Sequence, residues 1–172
     1  MANPNKELDE FKEKVLEAQT NGDIASLYVL EQDANEFLDE ETLMGFYQNI
    51  LDLALERLTE TLEAHRRMDM QEVQDFATVR ALYEYAVEHY SAGSIKDASA
   101  LFEVLSGLTN DSRFSDALKL HWIASAENIS LDDFIAKIAD VNATQEAGTF
   151  YISAFTQEAQ KLLDNTQTAE DN

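Results

Sequence analysis

The chain of 172 residues contains no cysteine, one proline and five glycines. The absence of cysteine excludes disulfides, thiolate catalysis and cysteine-ligated zinc, and it agrees with a reducing cytoplasm. So few helix breakers favour long helices over a turn-rich sandwich or barrel. No apolar run approaches the roughly 20 residues that span a bilayer, and the start of the chain lacks the basic and apolar regions of a signal peptide. We therefore expect a cytoplasmic protein without membrane insertion.

Basic residues are also scarce, because 12 lysines and arginines stand against 34 acidic residues, for a formal net charge of −22. A surface this negative repels phosphate backbones, so nucleic acids and anionic membranes are poor partners. The charge suits a soluble protein that meets a basic or apolar partner. A role in solubility alone is the alternative interpretation.

Sequence patterns typical of enzymes are missing. The chain has no His-Glu-x-x-His motif, no Gly-x-Ser-x-Gly elbow and no glycine-rich phosphate loop. The three histidines, His65, His89 and His121, lie far apart in the sequence. We therefore predict no catalytic residue, no cofactor and no metal site.

Helix signals follow one another almost without gaps, and no segment alternates with a period of two, so we predict an all-α fold of about eight helices. Gly22 is placed to end the first helix in a left-handed conformation. The third helix is the longest and is expected to be the central core helix, with a break at residues 64–69. The last helix is predicted over about 144–164. Capping residues mark the predicted helix starts, at Asn3, Asp23, Asp39, Ser94, Asp111 or Ser112, and Ser130.

No Pro/Gly/Ser-rich linker divides the chain, and we expect a single structural domain with an internal seam near residues 66–70. Residues 1–70 form an N-terminal helical part that serves as a cap or a dimerisation surface. Residues 71–165 form the second helical part. Residues 166–172 form a short acidic tail.

The most informative stretch covers residues 79–112. Two amphipathic helices are expected to approach closely at the small residues Ala86 and Ala98, and Gly93 permits the sharp reversal between them. Phe102 fills the space between the two helices. This pattern resembles one tetratricopeptide repeat, a helical hairpin that binds other proteins. The window from Arg113 continues as a degenerate second hairpin.

A narrower resemblance extends over residues 79–118 and includes the tetrapeptide Asp111-Ser112-Arg113-Phe114. The segment resembles the class II chaperones of type III secretion (SycD/LcrH type). That resemblance implies an all-helical bacterial cytoplasmic protein that keeps hydrophobic translocators soluble before export. It also implies a concave groove for an extended client segment, and a possible homodimer through the N-terminal helices. The longer N-terminal part and the single clear repeat depart from the family pattern.

In such a hairpin the first helix lines the concave face, and the next helix continues the surface. The alternative is that Tyr83 and Tyr90 pack in the core between the hairpins. With the groove interpretation, Tyr83→Ala is expected to weaken client binding and leave the fold native. The predicted client-binding groove consists of Arg80, Tyr83, Val87, Tyr90, Phe114, Ala117 and His121.

The leading hypothesis is therefore a non-enzymatic chaperone or adaptor that binds a secreted or aggregation-prone protein. The second is a structural or regulatory helical subunit of a larger protein assembly. The third is an enzyme with an unrecognised all-α active site.

Overall fold

A computed structural model describes residues 3–170, with side chains described as far as Thr166. In this range the chain forms α-helices, one π-helical segment and two isolated β-bridges, without a sheet, so the all-α prediction is confirmed. None of the helices in this part of the chain combines the length and apolarity needed to cross a membrane. The α-helices are α1 (Pro4–Thr20), α2 (Ile24–Val29), α3 (Glu31–Phe37), α4 (Glu40–Glu63), α5 (Val73–Ser91), α6 (Ile95–Leu108), α7 (Ser112–Ala126), α8 (Leu131–Asp133), α9 (Val141–Ala147) and α10 (Gln157–Glu170). The π-helix is Phe134–Ile138 and follows α8 directly.

The chain divides into two compact units. The first unit comprises the described residues up to Arg66 together with Gln71–Ala81. The second comprises Arg67–Met70 and the described residues from Leu82 onward. Helix α5 therefore contributes its first half to one unit and its second half to the other. Of the predicted acidic tail 166–172, the backbone as far as Glu170 belongs to α10, and residues 171–172 lie outside the described residues.

Capping side chains begin five of the helices at the predicted positions. The carboxylates of Asp23, Asp39 and Asp111 accept backbone N–H groups in the first turns of α2, α4 and α7, at 3.0, 2.8 and 3.0 Å. Asn3 and Ser130 cap α1 and α8 in the same way. The capping box predicted at Ser94 is wrong, because that residue precedes α6 but makes no side-chain cap bond. Its backbone N–H instead closes the end of α5 on the His89 carbonyl, at 2.9 Å.

The first unit packs α1, α2, α3 and α4 around a core of side chains from all four helices. The core of this unit includes Phe11, Ala18, Ile24, Leu27, Leu30, Ala34, Phe46, Ile50 and Ala54. The start of α5 joins this unit through polar contacts. The Gln74 amide donates to Asp23 and accepts from the Ala25 N–H, and Arg57 pairs with Asp75 at 2.9 Å.

Two expectations for the first unit are corrected. The second predicted helix is interrupted at Leu30, where α2 ends and α3 begins. Helix α4 is not buried over a wide arc, since only Phe46, Ile50, Ala54 and Thr61 are buried on it. Half of the Leu62 side chain remains exposed.

The second unit is built on the hairpin of α6 and α7, with the second half of α5. Gly93 takes φ +85° in the turn before α6, as its role in the reversal requires. Ala86, Ala98 and Phe102 are all fully buried, which agrees with their predicted packing roles. A short parallel bridge ties Met68 to Thr109, with the Met68 N–H donating to the Leu108 carbonyl at 2.8 Å.

The predicted helix 144–164 is wrong. Helix α9 ends at Ala147, Gly148 turns left-handed at φ +69°, and residues 149–156 are not helical before α10 begins. The run Thr-Phe-Tyr-Ile after the glycine is rich in β-branched and aromatic residues, which favour extended backbone. The Thr144 hydroxyl oxygen also accepts the N–H groups of Ser153 and Ala154, which holds the chain out of a helix.

Candidate functional site

An aromatic cluster forms the centre of the second unit. Tyr83 comes from α5, Phe102 from α6, Phe114 and His121 from α7, and Phe134 from the π-helix. We call the surface that Tyr83, Phe114 and His121 present to the rest of the unit the aromatic face. Residues 149–156, which we call the resident segment, lie against it.

A chain of hydrogen bonds runs through the aromatic face. The Nδ1 of His121 lies 2.7 Å from the Ala117 carbonyl oxygen, so Nδ1 carries the proton and Nε2 is the acceptor. The Tyr83 hydroxyl donates to Nε2 across 2.8 Å. The same hydroxyl oxygen accepts the Ile152 N–H at 3.1 Å. A side chain of the aromatic face therefore accepts a hydrogen bond from a backbone amide of the resident segment.

The electrostatics of this arrangement favour neutral groups. Burial lowers the pKa of His121 to about 4, against the opposing effect of its bond to the Ala117 carbonyl. Burial also raises the pKa of Tyr83 far above its usual value. Burial, and to a smaller extent the charge of Asp133, raise the pKa of Tyr90 to about 12. Each of these groups is therefore held in its neutral form at neutral pH.

Rings of the resident segment complete the cluster. Tyr151 packs edge-on against Phe114, with ring centroids 4.9 Å apart, and lies 6.3 Å from Tyr83. Phe150 contacts the same two rings, at 6.0 Å from each. Phe155 meets His121 at 6.1 Å. Such pairs add to the burial of apolar surface and fix the relative orientation of the rings.

The resident segment is also paired through its backbone. The Asp140 N–H donates to the Ala154 carbonyl and the Thr156 N–H donates to the Ile138 carbonyl, both at 2.9 Å. These two bonds form the antiparallel bridge between Ala139 and Phe155. The segment bends at Phe150 and Tyr151, where the Thr149 hydroxyl donates to the Tyr151 carbonyl at 2.7 Å, and it is paired along one edge at Phe155.

Most of the residues of the predicted groove are buried, as in the alternative in which Tyr83 and Tyr90 pack in the core. Val87 is half-buried. Arg80 belongs to the first unit, where it pairs with Glu31 at 3.3 Å and stacks 4.0 Å over the Tyr28 ring. The other five predicted residues are buried by this chain's own side chains, namely Tyr83, Tyr90, Phe114, Ala117 and His121.

Tyr90 and Tyr83 are buried for different reasons. Tyr90 donates its hydroxyl to the Ile129 carbonyl, and its ring packs against Phe102 and Phe134. Tyr83 is covered by the resident segment. Because Tyr83 is buried, truncation to alanine removes a core side chain, and Tyr83→Ala is not expected to leave the fold native.

Sequence reasoning missed the residues that fill the aromatic face. Phe150, Tyr151 and Phe155 were predicted as the apolar stripe of a helix, and Thr144 was given no role. The available signal was the sequence after Gly148, where an aromatic and β-branched run follows a residue that readily takes positive φ.

The surface also carries two clefts, one in each unit. A cleft of about 330 Å³ in the first unit lies between α1 and α4 and is lined by Phe11, Val15, Leu16 and Phe46. A cleft of about 410 Å³ in the second unit is bordered by Arg113, Lys119 and Phe155. Over the described residues, no group of three or more histidine, aspartate or glutamate side chains is arranged to hold a metal ion.

The chain matches no protein-family model, no curated protein and no solved structure.

Proposed function

We propose that the protein is a non-enzymatic chaperone or adaptor that binds an apolar segment of a client protein on the aromatic face. One observation carries this proposal: the aromatic face holds a non-helical stretch of polypeptide, through ring contacts and through a side-chain bond to a backbone amide. A client segment of similar chemistry offers the same groups. Chaperone action then consists of burying that segment so that it does not associate with itself.

The energetic basis is a small number of aromatic anchors. Tyr83 and Phe114 each contact two rings of the resident segment, and His121 contacts a third. Large rigid side chains of this kind give the strongest contributions to protein recognition. Affinity would depend on these anchors more than on the total area that is buried.

The class of client follows from the resemblance of residues 79–118 to the class II chaperones of type III secretion. On that basis we propose a secreted, translocator-type client, a bacterial cytoplasmic location, and dimerisation through the N-terminal helices. The net charge of −22 favours client segments with basic flanks over acidic ones.

The proposal is tested by affinity capture from the native cell, followed by reconstitution from purified components. We expect a secreted or aggregation-prone protein to co-purify and to form a stable complex in which its aggregation, measured by light scattering, is suppressed at stoichiometric ratios. A purified chain that leaves the aggregation of every captured protein unchanged would refute the proposal.

A second candidate function, a subunit of a larger assembly, is favoured by the exposed apolar side chains of the first unit. Leu16, Val29 and Met44 are 65, 81 and 69% exposed. A contiguous patch of such side chains is typical of a surface that another protein covers. The mass of the purified chain in solution separates the two functions, because a subunit is expected to aggregate when isolated, whereas a chaperone is a stable monomer or dimer.

A further inference from the structure

We propose that the resident segment is an internal substitute for the client, an inference that rests on the proposed function. The client segment that fits is uncharged, and carries two adjacent aromatic residues with a third aromatic residue four positions further on. It binds by taking the place of residues 149–156 on the aromatic face.

The composition of the resident segment supports this inference. Charged residues make up 27% of the chain, yet the eight residues Thr-Phe-Tyr-Ile-Ser-Ala-Phe-Thr include none. Three of the eight are aromatic, and all three contact the aromatic face. The spacing of Phe150, Tyr151 and Phe155 defines the pattern that we expect in the client.

The hydrogen bonds that hold the resident segment are made mainly with its backbone groups. Tyr83 accepts the Ile152 N–H, and Thr144 accepts two further N–H groups at 3.3 and 3.1 Å. The bridge to residues 138–140 also joins backbone to backbone. Any polypeptide segment that adopts the same path provides the same backbone donors and acceptors, so its side chains need only match the aromatic pattern.

The resident segment is built to be displaced more readily than the face beneath it. Seven of its eight residues are partly exposed, and only Tyr151 is buried. It follows Gly148 at φ +69°, a position that serves as a hinge, and the nearby elements are short: α8 has 3 residues, the π-helix 5 and α9 7. The aromatic face stands on α5 and α7, which have 19 and 15 residues. Partly exposed segments between short elements can open locally while the rest of a protein stays folded.

Displacement makes a quantitative prediction. The apparent affinity for a client equals its intrinsic affinity multiplied by the fraction of molecules in which the face is vacant. Thr144→Val removes the acceptor of two N–H groups at nearly constant volume and does not touch the aromatic face. Loss of two hydrogen bonds of ordinary strength raises the vacant fraction about tenfold. Thr144→Ser keeps the oxygen and is the matched control.

The probe is a capped, N-terminally labelled peptide with the sequence of residues 148–157, and binding to the full chain is followed by fluorescence anisotropy. We expect the Kd of Thr144→Val to be about tenfold lower than that of the wild type, and that of Thr144→Ser to be within about twofold of it. A peptide N-methylated at the position of Ile152 lacks the N–H that Tyr83 accepts, and we expect it to bind at least about fivefold more weakly. Hydrogen exchange of Ile152, Ser153 and Ala154 in the protein should accelerate when the peptide binds.

The inference is overturned if wild type and Thr144→Val bind the peptide equally or not at all, or if the resident amides stay protected in the complex. Should Thr144→Val not fold, the wild type alone decides. Its resident amides must exchange by local opening, at rates that do not track those of α6 and α7. Exchange only by global unfolding also overturns the inference.

Failure of the inference is distinguishable from failure of the proposed function. A captured client that binds the wild type while the amides of residues 149–156 remain protected leaves the proposed function intact and refutes the displacement. Absence of any client complex, with tight peptide binding to Thr144→Val, instead counts against the proposed function.

Discussion

Removal of one oxygen atom, in Tyr83→Phe, tests the hydrogen-bond chain at the aromatic face. The hydroxyl lies 2.8 Å from His121 Nε2 and 3.1 Å from the Ile152 nitrogen, so its loss takes a partner from both groups. The ring remains, and it keeps its contacts with Phe150 and Tyr151, the two rings that Phe114 also contacts. The substitution therefore isolates the polar contribution from the packing contribution.

The size of the effect follows from the burial of the two groups left behind. A buried polar group without a partner costs about 1–3 kcal/mol. His121 is fully buried and lies toward the upper end of this range, whereas Ile152 is partly exposed and can be reached by water. We expect Tyr83→Phe to lower the free energy of unfolding of the second unit by about 2–4 kcal/mol.

Urea denaturation followed by tryptophan fluorescence measures this loss, because Trp122, the single tryptophan of the chain, lies on α7 in the second unit. The matched control is Tyr85→Phe, two residues along the same helix, where we expect a change within about 0.5 kcal/mol. In a double-mutant cycle, His121→Phe should be less costly in the Tyr83→Phe background, by about 1 kcal/mol or more, since one unpaired group is then removed. Equal losses for the two tyrosines, or strict additivity in the cycle, would refute the reasoning.

Two further predictions concern a titration and a buried amide. The pKa of His121 in the folded protein is about 4, below its usual 6.5, so folding favours the neutral imidazole. The contribution of this group to the free energy of unfolding is therefore complete above pH 6.5 and is lost as the pH falls through 4. Relative to His121→Gln, the wild type should therefore lose about 3 kcal/mol of unfolding free energy between pH 7 and pH 4, measured by urea denaturation at each pH, and parallel curves would contradict this. Asn49 Oδ1 is buried on α4 and has no hydrogen-bond partner within the described part of the chain. Asn49→Leu should therefore raise the free energy of unfolding of the first unit by about 1 kcal/mol, and with it the melting temperature. A lower melting temperature would contradict this prediction.

The extent to which sequence predicted the fold depended on the range of the interactions. Helix starts at Asp23, Asp39 and Asp111 were predicted correctly because a cap is made with an amide three residues away. The buried roles of Ala86 and Phe102 were also correct, since both arise within one hairpin. These features need no knowledge of distant parts of the chain.

The failures involve contacts between distant residues. The resident segment leaves the helical state because its amides bond to Thr144 and, 69 residues away in sequence, to Tyr83. Residues 149–156 do have a helical apolar pattern, but these hydrogen bonds stabilise the non-helical conformation more than the pattern stabilises a helix. Tyr83, Phe114 and His121 were predicted to share one surface, whereas the segment that covers them was not predicted.

The central claim is that the aromatic face binds an apolar polypeptide segment. The most direct measurement is intermolecular NOEs, in the complex of Thr144→Val with the peptide of residues 148–157, between the peptide rings and the side chains of the protein. We predict NOEs to Tyr83, Phe114 and His121, together with loss of the contacts that Phe150 and Tyr151 make in the free protein. NOEs confined to Leu16 and Phe46 in the cleft of the first unit, with the resident contacts unchanged, would contradict the claim.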